Sequence, residues 1–190
     1  MTGTLDNTGT ILTLNAATGS WNLAGGTLKN GTLNESGGAE LVFTNSSGTL
    51  DGVTANSDLD LATNNNANVH IVDGLTLNAT ARLGNAAGST YGGLYFDGAQ
   101  TLGGTGAVVF GKSGSNFLDT YNTQNNNPSA GTLTIGAGIT IRGSAGNISS
   151  AYYSAGVVNQ GTIAADDSGG VSSFAYDTGY SYGWTGSTAD

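Results

Sequence analysis

The chain has 190 residues, with 33 Gly, one Pro, one His and no Cys, and only 9% of its residues are charged. Gly keeps no three-residue period and Pro is nearly absent, which excludes collagen; without Cys, a disulfide scaffold, a cysteine zinc site and a thiol nucleophile are excluded as well. A net charge of −9, from 4 Lys and Arg against 13 Asp and Glu, opposes nucleic acid, whose phosphates it would repel.

Predicted elements follow one another as short strands from the first residues onward. Apolar residues alternate with small polar ones at Ile11/Thr13, Leu12/Leu14, Leu41/Phe43, Leu59/Leu61, Leu75/Leu77, Val108/Phe110 and Leu133/Ile135, the period of a strand with one buried face. Turn formers separate them: Ala24-Gly25-Gly26, Ser36-Gly37-Gly38, Asn45-Ser46-Ser47-Gly48 and Gly84-Asn85. Gly interrupts every window long enough for a helix. No apolar run nears the ~20 residues of a membrane span, so this segment is not expected to insert in a membrane. Met1 reads as a translation start on a piece of a longer chain, with any export signal upstream.

A repeat sets the fold. The segments Leu50-Asp51-Gly52, Val72-Asp73-Gly74 and Phe96-Asp97-Gly98 extend to a ladder of Leu5, Leu28, Leu50, Val72, Phe96, Leu118, Ile141 and Ile163, with steps of 22 to 24 residues. Short strands, turns every few residues and a fixed period predict an all-β parallel β-helix (β-solenoid) of about eight coils, formed by residues 1–190 as one segment. Inside, apolar ladders stack from coil to coil; at the corners, Gly and Asn supply positive φ, and Asn can bond to its equivalent one coil away. Residues 172–190 form an aromatic-rich end that does not follow the repeat.

The tracts Gly19-Ser20-Trp21-Asn22-Leu23-Ala24-Gly25-Gly26-Thr27, Gly74-Leu75-Thr76-Leu77-Asn78, Thr101-Leu102-Gly103-Gly104-Thr105-Gly106 and Gly131-Thr132-Leu133-Thr134-Ile135 resemble the repeat regions of large bacterial surface and secreted proteins, as does Asn159-Gln160-Gly161-Thr162-Ile163. The nearest likenesses are autotransporter passengers and filamentous haemagglutinin-like adhesins. That resemblance implies a right-handed coil, an extracellular or cell-surface location, and a rigid stalk or adhesive surface that contacts glycans, extracellular matrix or other copies end to end. It brings no catalytic residue. A self-assembling fibre subunit is the structural alternative.

The residues that bear chemistry point in several directions. If the register holds, Asp51, Asp73, Asp97 and Asp119 stack outward ~4.8 Å apart, where like charges repel by roughly 1 kcal/mol per pair and Ca²⁺ would relieve them. The plainer reading is that each Asp-Gly makes a turn. A polysaccharide-active β-helix enzyme would need a base or grouped carboxylates. Only Lys29, Arg82, Lys112 and Arg142 are basic, at unrelated offsets, and Asp166 and Asp167 would point to opposite strand faces. With a single His, at position 70 and on an outward parity, metal or triad chemistry is not expected, and the chain reads as no enzyme, without a cofactor unless Ca²⁺ binds. Tyr176, Tyr180, Tyr182 and Trp184 share strand parity, so one face there presents rings suited to sugar stacking; the alternative is that they plug the end of the solenoid. Thr pairs such as Thr8/Thr10 and Thr132/Thr134 raise an ice-binding array, but their offsets wander.

Overall fold

A computed structural model describes residues 1–121, 131–150 and 156–164. Among these residues there are only strands and turns. The first rung is β1 (Thr4–Asp6), β2 (Ile11–Leu14) and β3 (Trp21–Leu23), and the second is β4 (Thr27–Lys29), β5 (Thr32–Glu35) and β6 (Leu41–Phe43). In the next two rungs the first two strands fuse, giving β7 (Thr49–Ala55) with β8 (Leu59–Leu61), then β9 (Ala67–Leu77) with β10 (Thr80–Leu83). The fifth rung is β11 (Gly92–Asp97), β12 (Gln100–Gly104) and β13 (Ala107–Phe110); the sixth is β14 (Phe117–Tyr121), β15 (Thr132–Ile135) and β16 (Thr140–Gly143). The last is β17 (Asn147–Ser150), β18 (Gly156–Asn159) and β19 (Thr162–Ala164).

Each strand pairs in parallel with its counterpart one rung away, so the chain is a parallel β-solenoid. The fused β7 and β9 join the first two strand positions into a 12-stranded sheet, while the third position forms a separate 7-stranded sheet. Seven rungs make about six turns, fewer than the eight coils expected. The reason is geometric: Leu118 and Ile141 lie in β14 and β16 of the same rung, so the sequence ladder counted that rung twice.

The core is a set of inward columns. Leu28, Leu50, Ile71 and Phe96 stack on the first face; Leu33, Ala55 and Leu77 on the second; and Leu61, Leu83 and Phe110 on the third. All are buried, because each rung covers the apolar face of the next. Leu50 pairs with Ile71, not Val72, and Leu118 pairs with Leu94, not Phe96. Val72 faces outward opposite Asp51 and is half-buried.

Polar side chains staple the corners. Asn116, fully buried, donates to the carbonyls of Gly111 (3.2 Å) and Ala145 (3.0 Å) and accepts the Gly92 N–H (3.2 Å), tying three rungs. The amide of Asn78 donates to Asn56 Oδ1 at 2.9 Å, the coil-to-coil asparagine bond expected from the sequence.

Candidate functional site

The four aspartates proposed as an ion ladder do not form a column. Asp51 stands opposite Lys29 and Val72, Asp97 opposite Tyr121, and Asp119 opposite Tyr95 and Ser149. Asp73 is an extra residue: β7 and β9 shift register between Asp51 and Val53, so Asp73 and Gly74 together oppose Gly52. Such a bulge tilts the strand and re-aims its side chains. Two of the four carboxylates already have cationic or imidazole neighbours. Lys29 Nζ lies 2.7 Å from Asp51, whose hydrogen bond and charge hold the ammonium pKa above its usual value. His70 Nδ1 lies 2.8 Å from Asp97. Among the described residues, no three His, Asp or Glu side chains gather closely enough to hold a metal ion. The Asp-Gly steps bring positive φ at Gly52, Gly74 and Gly98, but the first two lie within β7 and β9 and only Asp97-Gly98 leaves a strand. Carboxylate capping of nearby backbone falls instead to Asp6, which accepts from Thr8, and to Asp60, which accepts from Ala62 and Thr63.

A row of rings crosses the outer face of the first sheet. His70 stacks on Tyr95 at 5.0 Å, and Tyr95 meets Phe117 at 4.6 Å. The far end of the Phe117 ring occupies the space a Cβ at Gly93 would take, so the ring covers a strand glycine. Much of each ring's contact surface is therefore spent on its neighbours. His70 does face outward, half-exposed, opposite Thr49. The nominated Tyr176, Tyr180, Tyr182 and Trp184 lie outside the described residues, as do Asp166 and Asp167.

On the second strand position the outward residues are mostly small and polar, apart from the exposed Ile11 opposite Thr32 and Val158 opposite Thr134. Thr32, Thr54 and Thr76 pair in register over three rungs, a column the sequence offsets did not reveal because it begins in the middle of each unit. In the fifth rung the partner of Thr76 is Gly103, and the column loses its side chain. A shallow groove of about 210 Å³ opens there, lined by Gly52, Val53, Asp73, Gly74, Leu75, Thr76, Thr101 and Gly103. Its floor is main chain, with the Val53 and Leu75 side chains turned into the core, and its rim carries the exposed Asp73, Thr76 and Thr101. Asp73 holds φ at 54°, next to Gly74 at 83°. Gln100 fixes that corner by accepting the Gly74 N–H at 2.6 Å. Sequence reasoning singled out Asp73 but not Thr101 or Gly103, whose meeting depends on the pairing of distant rungs.

One carboxyl sits at a core-facing position. Glu35 pairs with the buried Leu14 and shares the parity of Leu33, so its chain turns inward and accepts the Leu41 N–H at 2.6 Å. Burial pushes its pKa up to about 7; the Leu41 hydrogen bond opposes this, and the charges of Glu40, Asp58 and Asp60 add to it.

Comparison with known proteins finds no family model, no curated protein and no solved structure that matches the chain.

Proposed function

We propose that the chain is a non-enzymatic segment of a bacterial extracellular β-solenoid, similar to autotransporter passengers and filamentous haemagglutinin-like adhesins, which serves as a stiff stalk that presents its outer faces to glycans or matrix. The observation that supports this reading is the continuity of its columns. Inward apolar residues follow one another across the rungs, while outward positions carry mostly Thr, Asn, Ser and Asp. A stack of that kind resists bending because every rung is hydrogen-bonded to the next, over roughly 30 Å at the strand spacing. Its outer faces repeat a hydrogen-bonding pattern at the same interval, which suits an extended polymer better than a small diffusible substrate.

The test is incubation of the chain with acidic and neutral polysaccharides, scoring both retention on the polymer and release of cleaved ends. Retention without cleavage is expected. Cleavage would replace this reading with a polysaccharide-active enzyme, and the absence of both retention and cleavage on every polymer would overturn the adhesive role.

A further inference from the structure

We propose that the groove at the Asp73 bulge is a subsite for one uncharged sugar residue of a polysaccharide chain lying along the threonine column. The proposal rests on the adhesive reading above and assigns it a place and a ligand class. Several independent features meet at this spot.

The first is space. The column Thr32–Thr54–Thr76 runs into Gly103, and the missing side chain leaves a recess of about 210 Å³, the scale of a single sugar ring. The second is backbone access. Gly52, Gly74 and Gly103 line the recess; the Asn30 side chain covers Gly52 and the Thr101 carbonyl covers Gly74, so a ligand can approach the main chain closely at Gly103. The third is the backbone at Asp73, a non-glycine residue held in the left-handed region at a bulge, a combination that re-aims side chains and recurs where proteins bind. Here it puts a carboxylate on the rim, beside the hydroxyls of Thr76 and Thr101.

The chemistry of that rim defines the ligand. A carboxylate only accepts hydrogen bonds, whereas threonine hydroxyls both accept and donate, so the partner must offer several hydroxyl groups in a small volume. Val53 and Leu75 face the core beneath the recess, so its floor is main chain and the sugar is held through its hydroxyls. An acidic polymer is disfavoured by Asp73 itself and by the net charge of −9. The ligand class is therefore a neutral polysaccharide. Rungs two to four would present successive Thr hydroxyls to the units next to the seated residue.

Gly103 allows a direct test. A Cβ built there meets only Thr101 Cγ2, at 3.9 Å, and its backbone is not left-handed, so Gly103→Val fills the recess without a clash in the fold. Retention of the whole chain is measured on linear β-glucans, mannan and galactan, with melting temperature as the check on folding. The expected result is that the wild type is retained on at least one of these polymers, Gly103→Val weakens binding at least about tenfold (~1.4 kcal/mol), and Asp73→Asn weakens it by about threefold or more. Asn tolerates the left-handed backbone at this position, so Asp73→Asn isolates the charge. If Gly103→Val fails to fold, Thr101→Ala takes its place and should also weaken retention. Wild-type retention that both groove variants keep, but that Tyr95→Ala abolishes, would overturn the groove and move the contact to the ring row. Wild-type failure on every polymer, charged or neutral, would overturn the groove together with the adhesive reading beneath it.

Discussion

Rungs two to four and rungs four to six solve the same stacking problem with different lengths of chain. In the earlier region the inward columns advance by 21 or 22 positions, as from Leu28 to Leu50 to Ile71 and from Leu33 to Ala55 to Leu77. In the later region they advance by 25 to 33, as from Ile71 to Phe96, from Leu75 to Leu102 to Ile135, and from Ala81 to Val108 to Ile141. Apart from the fused β7 and β9, the strands are three to six residues long in both. Much of the added chain lies between strands, as in the turn from Asn85 to Tyr91, where Asn85 bonds Ser89 and the Thr90 hydroxyl donates to the Ala62 carbonyl at 2.6 Å. Surface turns absorb length cheaply, because loop-closure entropy grows only with the logarithm of loop length. The constant of the fold is therefore which side chain faces inward, not the spacing that delivers it.

The largest effect expected from this comparison falls on adjacent residues. Ile71 is fully buried in the column between Leu50 and Phe96, whereas Val72 faces out. Ile71→Asp buries an unpaired charge and should lower stability by at least about 3 kcal/mol, or prevent folding altogether. Val72→Asp adds a carboxylate beside Asp51 at a half-exposed site and should cost about 1 kcal/mol or less. Chemical denaturation of the two variants checks this, and equal losses would place both residues in the core.

A smaller effect comes from Glu35. Its folded pKa of about 7 lies above the ordinary 4.5, so between these values the folded chain holds the proton more tightly than the unfolded chain does. Stability is then highest below about pH 4.5, as far as this group decides it, and declines as the pH rises through the window to about 7. Half-exposure and screening reduce the loss to about 1–2 kcal/mol. Glu35→Gln should flatten the fall in melting temperature between pH 5 and pH 8; an unchanged slope would show that another group carries it.

These elements also show where the sequence is legible. Leu5, Leu28 and Leu50 are found by spacing because the turns between them are short and each unit spans one circuit. The ladder fails first at Val72: it aligns the two Asp-Gly steps, but β9 carries one more residue at that corner than β7, so Leu50 pairs with Ile71 and Val72 falls on the outward face. It fails again between Leu118 and Ile141, where residues 122–130 separate β14 from β15 and a step of familiar length lands on another face of the same rung. The candidate site was legible only in its local part. Asp-Gly suggests a turn at Asp73 where the structure has a bulge within β9, and the recess exists because Gly103 arrives opposite Thr76 from 27 positions away, a meeting that only the three-dimensional register produces.

The slip at Asp73 pairs Ile71 with Leu50 and sets Asp73 on the rim of the groove, and crosslinking tests it most directly. The chain has no native cysteine, and paired residues of neighbouring parallel strands stand ~4.8 Å apart, within reach of a disulfide. Asp51→Cys combined with Val72→Cys should close a bridge under mild oxidation, while Asp51→Cys combined with Asp73→Cys should remain reduced. A bridge in the second pair and none in the first would contradict the bulge, return Val72 to the inward ladder, and remove the structural basis of the groove.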